Sequence, residues 1–296
     1  MLARKSFVAF AVLTWMGSRA AVLPAAENRY FDSNGVKIRY IVEGEGEPVL
    51  LIHGFAANLH WQWVTPGVVK TLAKHYRVIA FDNRGHGLSG APHEPDRYGV
   101  EMVEDAVRLL DHLEIERAHV VGYSMGAFIA AKLLALHPER VMTATLGGAG
   151  WARENDERRQ FVQELAESLD RGDGIGPLLV RLTPEGRPKP RAWWLKLINF
   201  FFRLLNDQQA LAAAARGMHD LIVPEDALRA NRAPALVVIG EVDPLRSTVD
   251  ELEPVMSNLE VVVIDGADHM QTFFRPEFQK SIEEFLLAHS KRPAAK

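Results

Sequence analysis

Residues Gly122-Tyr123-Ser124-Met125-Gly126 join a β-rich run, Ala118 to Val121, to an apolar helical run, Phe128 to Leu136. A serine with glycine at plus and minus two, on so tight a strand-to-helix turn, is held in a strained backbone conformation that pushes its hydroxyl out of the sheet. Larger side chains at 122 and 126 would clash there. The helix that follows aims its N-terminal amides and the positive end of its dipole at the same spot, where an oxyanion would form. This junction restricts the chain to folds in which a buried strand feeds a helix and presents a hydroxyl at the turn.

A serine of this kind needs a histidine and an acid further along, each at the end of a later strand. Ala235 to Ile239 reads as a buried strand running into Gly240-Glu241-Val242-Asp243-Pro244, and Leu259 to Ile264 as another running into Asp265-Gly266-Ala267-Asp268-His269. Upstream, Pro48 to Ile52 is a strand leading into His53-Gly54-Phe55. Four features thus fall in the required order, each at a strand end.

With these residues in place, the chain resembles the α/β-hydrolase family from about Arg29 to His289. The resemblance includes His53-Gly54-Phe55 and Asp82-Asn83-Arg84-Gly85-His86-Gly87-Leu88-Ser89, a segment common in the subset that holds esterases, lactonases, cofactor-free haloperoxidases and carbon–carbon bond hydrolases. Related dehalogenases and epoxide hydrolases carry aspartate at the nucleophile position, so Ser124 argues against both chemistries. The resemblance implies Ser124 as nucleophile and His269 as the base that activates it and later returns the proton. Asp243 follows the seventh strand, where the family's acid usually lies; Glu241 and Asp268 are the other carboxylates nearby. Asp268 adjoins His269 in sequence, and a neighbour on an extended or turn segment points away from the ring. The backbone amides of Phe55 and Met125 would form the oxyanion hole.

Strands expected at about 29–32, 36–42, 48–52, 76–81, 118–123, 141–146, 235–240 and 259–264 alternate with helices at about 61–74, 99–113, 125–136, 247–257 and 276–289. The pattern predicts an α/β fold with an eight-stranded, mostly parallel sheet covered by helices on both faces. The first two strands are close enough to pair through Ser33-Asn34-Gly35. Between Trp151 and Ala230 the alternation gives way to helical patterns: Phe161, Leu165 and Leu169 recur at helical spacing, as do Trp194, Leu197, Ile198, Phe201 and Leu205. Such an insertion after strand 6 resembles the family's helical cap, expected to lie over Ser124 with both ends at the catalytic edge and the Trp194 stripe buried. The aromatics Trp151, Trp193, Trp194, Phe200, Phe201 and Phe202 are expected to form its core, one or two reaching the pocket. The expected organisation is a signal peptide at 1–26, a core domain at 27–150 and 231–296, and a cap at 151–230.

At the N-terminus, Arg4 and Lys5 precede an apolar run from Phe7 to Met16, then small residues around Ala20, Ala21 and Ala26. That is the layout of a secretory signal peptide, and the run is too short to span a bilayer. The expectation is export to the periplasm or medium, with no stable membrane anchor after removal.

Composition narrows the chemistry. A net charge of −4 with no long basic run excludes a nucleic-acid reading, and zero cysteines exclude disulfides, thiolate nucleophiles and Cys-ligated metals. The eleven histidines show no metal-ligand spacing, and Gly85-His86-Gly87 lacks the third glycine of a dinucleotide loop. No cofactor and no metal are expected, and the partner is a small-molecule substrate; the sequence specifies no oligomeric state. The reading is a serine hydrolase of small or medium esters, lactones or related acyl compounds. Alternatives are carbon–carbon bond hydrolysis or perhydrolysis by the same triad, and a non-catalytic ligand-binding protein of the same fold.

Overall fold

The computed structural model describes residues 27–153 and 155–290. The expected signal segment, residues 1–26, lies outside the described residues.

The longest apolar runs form a single sheet of eight strands: β1 (Arg29–Ser33), β2 (Val36–Glu43), β3 (Glu47–Ile52), β4 (Tyr76–Phe81), β5 (Ala118–Tyr123), β6 (Val141–Gly147), β7 (Ala235–Gly240) and β8 (Leu259–Ile264), in the order β1-β2-β4-β3-β5-β6-β7-β8. Strands β1, β2 and β4 pair antiparallel, and the other neighbours are parallel. Central strands such as Val49-Leu50-Leu51-Ile52 are wholly buried, as parallel strands covered on both faces must be. The β1–β2 hairpin turns on Asn34 (φ 53°) and Gly35 (φ 79°), two consecutive left-handed residues that match the twist of the strands.

The helices are α1 (Val68–Leu72), α2 (Val100–His112), α3 (Met125–Leu136), α4 (Asp156–Asp170), α5 (Gly176–Arg181), α6 (Ala192–Leu205), α7 (Gln208–Gly217), α8 (Glu225–Arg229), α9 (Arg246–Leu252), α10 (His269–Thr272) and α11 (Pro276–His289). Two hydrophobic cores flank the sheet. One packs α2, α3, α4, α7, α8 and α9 on one face, and the other packs α1 and α11 on the opposite face. The helix expected over 61–74 is broken into a π-helical turn, His60–Val64, and α1. Pro66 lacks an amide to continue the ladder, and Gly67 takes a left-handed φ of 91°.

The chain leaves β3 for β4 on one side and returns to β5 on the other, so β3 and β5 flank the point where the winding reverses. In such sheets the crevice beyond the carboxyl ends of these strands is where ligands bind. Register brings Ile52 beside Gly122, and Gly122 beside Leu146, so the loops after β3, β5 and β6 emerge side by side.

The segment between β6 and β7 is helical, as expected, and Leu165, Leu169 and the run Ala212 to Ala215 are buried. Two expectations about it fail. Ala235 is the first residue of β7, which runs parallel to β6, so the segment begins at the carboxyl edge but rejoins the sheet at the opposite edge, as a parallel crossover requires. The Trp194 stripe of α6 is also not buried: Leu197 and Phe201 are each 50% exposed and Leu205 is 79% exposed. The inward face is instead Trp194, Leu195, Ile198, Asn199 and Phe202, all half-buried.

Two buried ion pairs fix the loop after β4. Arg39 Nη1 donates to Asp82 Oδ2 at 3.0 Å, while the Asp82 carboxylate also accepts the amides of Leu59 and Leu88. Arg84, with no exposed surface, forks onto Asp105 of α2 at 2.7 and 2.6 Å and donates to the Arg97 carbonyl at 2.6 Å. Removing one partner of such a pair leaves a buried charge without compensation. Asp105→Ala should therefore lower stability by about 3–5 kcal/mol in urea unfolding, whereas Arg84→Met/Asp105→Leu should cost much less. Equal losses for the two variants would mean that the charges matter only through packing.

Candidate active site

Ser124 lies at the crest of the β5–α3 turn with φ 54° and ψ −116°, a combination few non-glycine residues adopt. The two glycines explain how it is held. A Cβ at Gly122 would lie 2.0 Å from the Gly126 carbonyl oxygen, and one at Gly126 would lie 2.0 Å from that of Ile52. Backbone therefore packs on backbone from α3 through β5 to β3, and only glycine fits at either point. Strain of this kind costs about 1–3 kcal/mol and persists where surrounding packing enforces it.

A serine at a helix N-cap ordinarily spends its hydroxyl on the first-turn amides. Ser124 makes no such side-chain cap, so its partly exposed hydroxyl is free to do other work. The Met125 amide belongs to the first turn of α3, whose N–H groups lack intrahelical acceptors. The other expected oxyanion donor, Phe55, follows Gly54, at which an added Cβ would lie 3.2 Å from Ser124 Cβ. The loop after β3 therefore lies directly against the elbow.

His269 opens the one-turn helix α10, and its Nδ1 lies 2.9 Å from Asp243 Oδ2; both residues are 3% exposed. With Nδ1–H donating to the carboxylate, Nε2 is the ring's acceptor. The second Asp243 oxygen accepts the Leu245 amide at 2.9 Å, which fixes the carboxylate. The rival acids have other partners. Asp268 caps α10 by accepting the amides of Met270 and Gln271, and also receives Arg187 Nη1 at 3.1 Å. Glu241 accepts the Gly266 amide at 2.8 Å on the surface.

Tyr123 is a contributor that the sequence reading passed over. Its buried hydroxyl donates to the His269 carbonyl at 2.6 Å, and its ring lies 5.3 Å from the His269 imidazole. Gly147 and Gly148 make room for that ring, since a Cβ on either would come within 2.7 Å of it. An aromatic between Gly122 and Ser124, with paired glycines ending β6, was the available signal. Asp268 and Arg187 were also missed in their real roles, because a cap and an inter-element ion pair leave no motif.

His53 and His86 are structural here. His53 Nδ1 donates to the Gly54 carbonyl at 2.8 Å while Nε2 accepts the Asn83 amide at 2.9 Å, so the ring is neutral and pins the loop after β3 to the loop after β4. Burial lowers its pKa, and it drives that of His86 down to about 3. Nearby Phe55 and His53 both pack against the His86 ring, at 5.6 and 5.3 Å. A cavity of about 280 Å³ lies elsewhere, between α4 and the end of α7, and none of Ser124, Asp243 or His269 lines it.

A family model described as alpha/beta hydrolase fold matches residues 47–181. The dihydrolipoyllysine-residue acetyltransferase component of the acetoin cleaving system from Cupriavidus necator is 39% identical over 123 residues, 41% of this chain and 32% of that protein. The chain spans 59% of the Pseudomonas putida counterpart, so it covers under two thirds of either relative. BpoC of Mycobacterium tuberculosis, provisionally named a non-heme bromoperoxidase, is 31% identical over 264 residues, 82% of this chain and 94% of that protein. Among solved structures, Est816, described as an N-acyl homoserine lactone degrading enzyme, superposes with a TM-score of 0.68 at 28% identity, covering 87% of this chain and all of that one. The chain belongs to the α/β-hydrolase fold family, a family of hydrolytic enzymes.

Because the unfolded pKa of histidine is near 6.5 and that of folded His86 is about 3, the unfolded chain takes up a proton in this interval that the folded protein refuses. The contribution of His86 is full above pH 6.5 and is lost as pH falls from there toward 3. Urea midpoints measured between pH 7 and 4 should decline more steeply for the wild type than for His86→Gln. Parallel declines would show that the ring is not held neutral.

Proposed function

We propose that the protein is a serine hydrolase that cleaves small or medium esters, lactones or related acyl compounds through an acyl-enzyme. The observation that carries this reading is the buried His269 Nδ1 to Asp243 Oδ2 contact of 2.9 Å at the edge where Ser124 holds an uncapped hydroxyl on a strained turn. His269 Nε2 takes the Ser124 proton as Oγ attacks the carbonyl, and Asp243 stabilises the imidazolium that forms. The amides of Phe55 and Met125 receive the oxyanion. His269 then protonates the leaving group and later activates the water that releases the acid. Ser124, where aspartate would serve dehalogenase or epoxide-hydrolase chemistry, favours acyl transfer. The provisional name of the mycobacterial relative favours one second reading, perhydrolysis, in which peroxide replaces water in the last step.

The 151–230 segment is proposed to govern access to Ser124 as a cap on the core domain of 27–150 and 231–296. Support comes from Arg187 meeting Asp268 beside His269, and from Arg158 lying 4.8 Å over the Phe128 ring of α3. Export under a signal peptide within residues 1–26 is the accompanying proposal, checked by the intact mass of the mature protein.

Chromogenic esters of graded acyl length, assayed with hydrogen peroxide present and absent, test the activity. A fluorophosphonate probe should label Ser124, and Ser124→Ala should abolish both labelling and turnover. Asp243→Asn should lower kcat by about ten-thousandfold through the wrong histidine tautomer, far more than Asp268→Asn or Glu241→Gln. Turnover that survives Ser124→Ala would end the proposal.

A further inference from the structure

Helix α6, Ala192–Leu205, has the sequence AWWLKLINFFFRLL, yet none of its fourteen residues is buried. Its inner face is half-covered by the protein. On the outer face Trp193 (62% exposed), Leu197 (50%), Phe200 (51%), Phe201 (50%) and Leu204 (68%) follow the spacing i, i+4, i+7, i+8 and i+11, one continuous apolar strip. Lys196 and Arg203, seven residues apart, run along one edge of it. Soluble monomers seldom leave so large an apolar strip in water unless something covers it.

The charge around the strip identifies the cover. From Arg187 to Leu205 there are five cations, Arg187, Lys189, Arg191, Lys196 and Arg203, and no Asp or Glu, in a chain of net charge −4. Lys189, Arg191, Lys196 and Arg203 are exposed and have no carboxylate partner among the described residues. A flat helix with aromatic and aliphatic side chains on its outer face and cations along its border matches an anionic lipid surface. Two other occupants fit poorly. A second copy packed antiparallel on this strip would bring like-charged borders together. The chain's own N-terminal stretch carries Arg4, Lys5 and Arg19 and no acid before Glu27.

We infer that α6 is a peripheral membrane-docking element that inserts Trp193, Leu197, Phe200, Phe201 and Leu204 into the headgroup region of an anionic bilayer. Fourteen residues are too few to span, and no helix among the described residues is long and apolar enough to cross a membrane, so docking is parallel to the surface and reversible. The ion pair between Arg187 and Asp268 links the segment leading into α6 to the turn that carries His269. Docking therefore places that turn close to the lipid surface.

The test is co-sedimentation of the full chain with phosphatidylcholine vesicles, with and without 30% phosphatidylglycerol, at low and high salt. Binding to the anionic vesicles should be several-fold stronger and should weaken with salt. Lys196→Gln and Arg203→Gln should each reduce partitioning about fivefold, equivalent to ~1 kcal/mol per charge at the surface. The triple variant Leu197→Gln/Phe200→Gln/Leu204→Gln, with its fold checked by circular dichroism, should lose binding. Brominated lipids should quench wild-type fluorescence more than that of Trp193→Phe. Ser124→Ala should bind like the wild type, which separates this inference from the catalytic reading. Vesicle binding that survives the triple variant would assign the contact to another segment and overturn the proposal. So would a wild-type dimer that the triple variant dissociates without any vesicle binding.

Discussion

The contact of backbone on backbone at Gly122 and Gly126 is what the rest of this site depends on. Because neither residue has a Cβ, α3 starts within van der Waals distance of the β3 carbonyl edge, and Ser124 has no relaxed conformation available. The same approach brings Gly54 against Ser124. Widening this junction by one methyl group would disturb the nucleophile, the loop after β3 and the helix together.

Around this junction, the buried charged groups and His53 are held by partners. Asp82 gathers Arg39 and two amides; Arg84 forks onto Asp105; and His53 bridges Gly54 to Asn83 in a single neutral tautomer. These residues look like catalytic candidates in a list of charged and imidazole side chains. Their geometry gives them a different task, to hold the loops after β3 and β4 rigid under the site. The Asp243–His269 pair differs because one imidazole nitrogen remains available at the edge where Ser124 turns outward.

The helical segment between β6 and β7 joins two demands in one stretch of chain. Its buried half, from α4 and α7, extends the hydrophobic core, and Arg187 ties its loop to the helix that carries His269. Its outer half, α6, leaves aromatic side chains toward solvent. A helix that is apolar on both faces cannot satisfy both in a monomer in water, and that mismatch is the physical basis for a lipid-facing role.

Much of this was legible in the chain itself. The eight strands follow from apolar runs bounded by turn residues, and motif order at strand ends singled out Ser124, Asp243 and His269 as candidates, of which the structure brings Asp243 against His269. Periodicity could not choose which face of α6 is buried, because the inner Trp194, Leu195, Ile198 and Phe202 are as apolar as the outer Trp193, Leu197, Phe200, Phe201 and Leu204. Nor could it find Tyr123, whose role depends on a carbonyl 146 residues away. Local sequence determines where strands, turns and helices begin, since propensity and steric limits act between neighbours. Only the tertiary structure decided that Asp268 caps a helix while Asp243 meets the imidazole, that His53 and His86 are neutral supports, and that α6 faces outward. Those outcomes depend on which groups long-range packing brings within hydrogen-bond distance and which it leaves in water.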